Sequence, residues 1–108
     1  MRVYVCGPVT GIPGGNRPQF DFVAEQLRTE GHEPVVPHDH VDPSWPWGRC
    51  MRALIPVMLS CDAVVTLLGW SRSKGAGLEV HISSALGIET MPAKEFLDSH
   101  PGGAGGTA

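Results

Sequence analysis

The sequence predicts an α/β fold on a small parallel sheet of about four to five strands, and three observations carry that reading. Short β-branched or apolar runs alternate with helix-patterned segments along the chain. The run DAVVTLL, residues 62–68, is apolar nearly throughout, as a strand buried on both faces must be. The segments that follow the strand ends are rich in glycine and polar residues. Strands separated by helices connect through right-handed crossovers and lie parallel.

RVYVC, residues 2–6, is β-branched and aromatic and stops at Gly7-Pro8, which makes it a central strand. GPVTGIPGGN, residues 7–16, is a loop. Residues 17–30 place Phe20, Val23, Ala24 and Leu27 on one helical face. Asn16 is the expected N-cap, Pro18 fits the first turn and Gly31 ends the helix. PVV, around residues 33–36, is a short second strand, and PHDHVDPSWPWG, residues 37–48, is a loop. Residues 49–60 are helical by pattern, with Pro56 expected to kink or shorten that helix. After the third strand at 62–68, a helix over 75–87 has Leu78, Ile82, Ala85 and Leu86 as its expected inner stripe. IETM, residues 88–91, reads as a fourth strand and KEFLDS as a last short helix. The single domain covers residues 1–98, and residues 99–108 read as a disordered glycine-rich tail.

The chain has 108 residues and a net charge of −3, which fits one domain and lacks the basic stripe of a protein that binds a nucleic-acid polymer. Cys6, Cys50 and Cys61 are odd in number and form no CxxC pair, so they read as buried apolar residues. HDHVD, residues 38–42, gives no fixed ligand geometry, so no metal is expected, nor any other cofactor. No stretch approaches the roughly 20 apolar residues of a membrane helix, and the N-terminal run does not read as a signal peptide. These features point to the cytoplasm. Two open sheet edges and a small core point to a homodimer or higher homo-oligomer.

Three loops follow strand C-termini, where open α/β sheets bind ligands. The first offers Gly7, Pro8, Thr10 and Asn16 beside a helix N-terminus, which suits an anion, although it is neither a Walker A loop nor GxGxxG. The third, GWSRSKGAG, carries Trp70, Ser71, Arg72, Ser73 and Lys74, with Gly75 and Gly77 permitting close backbone approach. It is either a phosphate cradle or a solvated loop in which Ser73 caps the helix. Glu79 follows in that helix's first turns. It is either an acid favourable to the helix dipole or a nucleophile or general base, kept ionised by helix N–H groups. Trp45, Trp47 and Trp70 can stack on a ring, cap the core or line an interface. His81 reads as a surface histidine.

YVCGPVTG at 4–11, then Asn16-Arg17-Pro18 and Phe20, then CDAVVTLLGWSRSKGAGLE at 61–79 with ALG at 85–87, resemble the nucleoside 2-deoxyribosyltransferase-like superfamily. The similarity is greatest to its small, largely uncharacterised branch common in bacteriophages and prophages, and spans roughly residues 1–92. It implies a flavodoxin-like three-layer sandwich in an oligomer, acting in a bacterial or phage-infected host cytoplasm. It implies a small-molecule nucleoside or nucleotide ligand, with Glu79 as the nucleophile that attacks C1′ of the sugar. Gly7 and its neighbours would lie beside sugar and base, and Ser73 and Gly75 to Gly77 beside a 5′-phosphate. The related enzymes carry a supporting aspartate after MRA, where this chain has Leu54. Two functions follow as expectations: a hydrolase or transferase at the N-glycosidic bond of a deoxynucleoside or its 5′-monophosphate, or a nucleotide-binding module that has lost the chemistry.

Overall fold

The computed structural model describes residues 1–101. Four strands, β1 (Arg2–Cys6), β2 (Glu33–Val35), β3 (Ala63–Thr66) and β4 (Glu89–Pro92), form one sheet in the order β2-β1-β3-β4. Every pairing is parallel, with Val5 opposite Val65 and Cys6 opposite Thr66. Helices α1 (Arg17–Thr29), α2 (Trp47–Leu59), α3 (Lys74–Ala85) and α4 (Ala93–Ser99) complete the alternation. The expected α/β class and parallel sheet are therefore present, in an arrangement compatible with a flavodoxin-like three-layer sandwich.

The alternation of side chains along each strand divides the core in two. Val3 and Val5 of β1, with Ala63 and Val65 of β3, pack under Phe20, Val23, Ala24 and Leu27 of α1 and Phe96 of α4. Tyr4 and Cys6, with Val35 and Val64, face the opposite layer, where Met58 of α2 and Ala76 of α3 cover them. β2 lies on one side of β1, and the chain then crosses to β3 on the other side. The C-terminal ends of β1 and β3 are thus the switch point of the sheet, where a crevice is expected.

Several local expectations change. Asn16 occupies the N-cap position of α1 but in the left-handed region, φ 61°, and makes no capping bond. Capping geometry needs an extended residue; instead, Asn16 Nδ2 donates to the Pro8 carbonyl and to Gln19 Oε1, both at 3.0 Å, and ties the first loop together. Helix α2 begins at Trp47 and runs past Pro56 to Leu59, with the proline on its exposed side. The inner face of α3 is Ala76, Glu79 and Ser83, whereas Ala85 and Leu86 are exposed and Leu78 and Ile82 only half-buried. Small and polar residues turn inward because they find partners there: the Thr90 hydroxyl donates to Ser83 Oγ at 2.9 Å, and β1 supplies donors to Glu79.

At the C-terminus, packing extends beyond residue 98. His100 stacks on Phe96 with ring centroids 4.3 Å apart, and its Nε2 lies 3.1 Å from Glu89 Oε1. Of the segment expected as a tail, residues 102–108 lie outside the described residues.

The switch point is tight at Gly7. A β-carbon there would stand 2.8 Å from Leu67 Cβ, an atom fixed by its own backbone. Gly7→Ala is expected to cost about 1–3 kcal/mol by overpacking. The loss reads as a lower urea midpoint at unchanged slope; an unchanged midpoint would contradict this close approach.

Candidate functional site

The three loops at the C-terminal edge of the sheet meet one another. The Leu67 N–H donates to the Cys6 carbonyl at 2.8 Å, extending the β1–β3 ladder into both loops. Gly69, at φ 86°, places its backbone against Pro8. His38 of the second loop holds the first through a 2.7 Å bond from Nε2 to the Gly15 carbonyl, with its ring edge-on to Phe20. The N–H must be on Nε2, because a carbonyl only accepts.

Helix α3 starts from this junction. Ser73 is extended at the N-cap, and its Oγ accepts from the Ala76 N–H at 3.3 Å. That is the capping role read as one alternative from the sequence. Gly75 lets α2 and α3 approach closely: a β-carbon would lie 3.3 Å from Met51 Sδ and 3.4 Å from Trp47 Nε1. Lys74 lies over the Trp47 ring at 4.0 Å, and Arg49 over Trp45 at 4.0 Å. Both tryptophans are therefore engaged with cations at the two helix starts. Gly77 meets open space, and its N–H donates to the Ser73 carbonyl at 2.8 Å.

Glu79 is the sixth residue of α3, and only 4% of its surface is exposed. A dipole-complementing acid would sit exposed in the first turn, so that reading does not describe it. The free N–H groups of the helix start lie a turn away, so they do not keep it ionised as the sequence reading expected. Its partners come from β1 instead. Tyr4 OH donates to Oε2 at 2.5 Å, and the Cys6 thiol lies 3.4 Å from Oε1. Burial is the larger influence and pushes the carboxyl from 4.5 up to about 6, while the two donors pull it down. Burial, reinforced by the neighbouring carboxylate, also pushes the Tyr4 phenol and the Cys6 thiol well up, so both stay protonated donors at neutral pH.

The sequence-predicted residues thus divide. Gly7 and Pro8 stand at the switch point against Leu67 and Gly69, Asn16 joins Pro8 to the start of α1, and Ser73 and Gly75 lie at the start of α3. Thr10 is exposed in the turn of the first loop. Trp70 and Ser71 border a cleft of about 670 Å³ between α1 and α4, on the other side of the sheet from Glu79, and Trp70 also packs against the layer of Tyr4, Cys6 and Ala76. That cleft is largely apolar, with Phe22, Val23, Leu68 and Leu97 among its walls. The glutamate is not among them, so the open space and the buried carboxylate are separate features.

Sequence reading missed Tyr4 and Cys6 as partners of Glu79. Their spacing of two along β1 puts them on one sheet face, and a phenol there needs a buried acceptor. Among the described residues, no group of three or more His, Cys, Asp or Glu side chains could hold a metal ion, and no helix is long and apolar enough to cross a membrane.

Residues 1–91 match the family described as a domain of unknown function, DUF4406, and the chain belongs to that family. No curated protein matches it.

The buried carboxylate couples stability to pH. Glu79 binds its proton more tightly in the folded than in the unfolded chain, so stability is lost as pH rises from 4.5 through about 6. The loss amounts to about 2 kcal/mol at pH 7. Glu79→Gln is expected to recover up to about 2 kcal/mol at pH 7, with the gain shrinking below pH 4.5. Thermal unfolding of both proteins at the two pH values checks this; equal shifts at both would contradict the coupling.

Proposed function

We propose that the protein cleaves or transfers at the N-glycosidic bond of a deoxynucleoside or its 5′-monophosphate, with Glu79 as the nucleophile. One observation carries the reading. A carboxylate is held by two donors in an apolar layer at the sheet's switch point, poised at about 6 and poorly solvated. Structural acids are rarely buried this way without a cation beside them, whereas reacting carboxylates are.

In the first step, a lone pair of the carboxylate forms a bond to C1′ of the sugar. The C1′–N bond breaks, its electron pair stays on the departing base, and the base takes a proton from water. Water or a second base then attacks C1′, frees the carboxylate and releases one proton. The resemblance would put a 5′-phosphate beside Ser73, Gly75 and Gly77 at the N-terminus of α3, where the Ala76 and Gly77 N–H groups are already bonded to Ser73. Gly7, Pro8, Thr10 and Asn16 belong to the loop that would flank sugar and base. With Glu79 only 4% exposed, a substrate reaches it only after the surrounding loops shift.

A second reading rests on Leu54. It is buried on α2 at the position where the resembling enzymes carry a supporting aspartate, and both hydrogen-bond donors of Glu79 are uncharged groups. These features favour a module that binds a nucleotide without cleaving it.

A panel of deoxynucleosides and deoxynucleoside 5′-monophosphates separates the two. Chromatography is expected to show free base with the wild type, reduced by roughly 10³-fold or more in Glu79→Ala. A nucleotide that raises the melting temperature and is recovered intact would instead establish the binding module. Neither base release nor stabilisation would overturn both.

A further inference from the structure

The two oxygens of Glu79 are held by donors of different kinds. Tyr4 OH has Oε2 as its acceptor, at 2.5 Å. The Cys6 sulfur lies between two acceptors, Glu79 Oε1 at 3.4 Å and the Ala76 carbonyl at 3.5 Å. A thiol has one proton and can serve only one of them at a time. The Ala76 carbonyl carries two lone pairs, one of them used within the helix, so it can take the thiol proton as well.

This difference matters when a carboxylate is converted to an ester. The oxygen that attacks becomes the ester oxygen, a poor acceptor, and the other becomes a carbonyl oxygen, a good one. If Oε2 attacked, the buried Tyr4 hydroxyl would lose its acceptor, at a cost characteristic of stranded buried donors. If Oε1 attacks, Tyr4 stays bonded to the new carbonyl, and the thiol turns to Ala76. We propose that Oε1 is the reacting oxygen of Glu79 and that Cys6 is its positioning residue, holding that oxygen in the free protein and releasing it to the Ala76 carbonyl as the ester forms.

The inference rests on the glycosidic reading above. The Oε1 lone pair forms the bond to C1′, the C1′–N pair leaves with the base, and the thiol proton stays on sulfur throughout. A weak S–H donor suits the task, because it aims the oxygen without drawing off the electron pair that reacts. The thiol is held well above its usual range by burial and by Glu79, so it stays protonated while the carboxylate is charged. Tyr4 and Cys6 are the titratable groups that act on Glu79.

The infrared S–H stretch of the full-length chain reads this directly. Cys6 is identified as the band lost in Cys6→Ser, leaving those of Cys50 and Cys61. The band is expected to move between two positions as Glu79 titrates, with a midpoint near pH 6, and to be independent of pH in Glu79→Gln. In base release, Cys6→Ala is expected to lower kcat about tenfold at unchanged KM, and to move the acid limb of the pH profile above its wild-type position. Cys6→Ser, which restores a donor, is expected to move the limb back. A band that ignores pH, or a Cys6→Ala profile that overlays the wild type, overturns the role of Cys6 while leaving Glu79 as nucleophile. Absence of base release from the wild type overturns the reaction itself, and with it the assignment of a reacting oxygen.

Discussion

The hydrogen bond from Tyr4 to Glu79 joins the central strand β1 to the helix that follows β3, and it explains the orientation of that helix. Burying a carboxylate in an apolar layer is costly unless donors replace its water. Here the donors replace it only in part, since burial outweighs both of them and leaves the carboxyl at about 6. The rest of α3 follows. Because Glu79 must face the sheet, Ala76 and Ser83 face it too, one turn either side, and Leu86 is left 63% exposed. An apolar stripe facing inward would have been the more stable choice for the helix alone. A cost near 2 kcal/mol is a sizeable share of the roughly 5–15 kcal/mol that holds a domain together. Such an arrangement is characteristic of a polar group with a task, and the larger cleft holds no comparable buried carboxylate.

The topology supplies the second constraint. Placing β1 and β3 side by side brings the loops after them into one crevice, and glycines let the backbones close it. Gly7 has no room for a side chain beside Leu67, and Gly69 adopts a left-handed turn against Pro8. The second loop is fastened to the first by His38 and to the start of α1 by the Arg17–Asp39 pair at 3.1 Å. That ion pair is about half exposed on both sides and adds little by itself. The histidine bond is the stronger link, because the Gly15 carbonyl accepts it in a partly buried place.

What was legible in the sequence follows the same physics. Strands buried on both faces and the amphipathic α1 announce themselves, because apolar spacing there is dictated by the core; Phe20, Val23, Ala24 and Leu27 are all buried. Ser73 at its cap and Gly7 at the strand end were also readable, since each has a local geometric reason. The face of α3 was not, because Glu79 points inward toward partners 75 and 73 residues away in sequence. Periodicity assumes that apolar residues win the interior, and here Tyr4 and Cys6 reverse that contest. Asn16 misled for a related reason: its type suits both a cap and a left-handed residue, and only the Pro8 carbonyl decides between them. The cleft bordered by Trp70 and Ser71 could not be foreseen either, since it lies between α1 and α4, elements far apart in sequence whose approach no local pattern records.

Leu54 changes what the rest of the site must do. A second carboxylate close to Glu79 would raise its proton affinity further, through like-charge repulsion added to burial. Without one, a group poised at about 6 is ionised roughly ten to one at pH 7, so the charged form dominates with no cation to stabilise it. In the proposed reaction, the missing acid would therefore remove a helper for the sugar but not the charge on the attacking oxygen. Positioning then falls to the two donors on β1, one strong and fixed, one weak and able to turn away. In the proposed reaction, that division lets the same carboxylate stay anchored through Oε2 while Oε1 changes from anion to ester. A pure binding module would gain nothing from it, because a carboxylate that never reacts is best served by two strong donors.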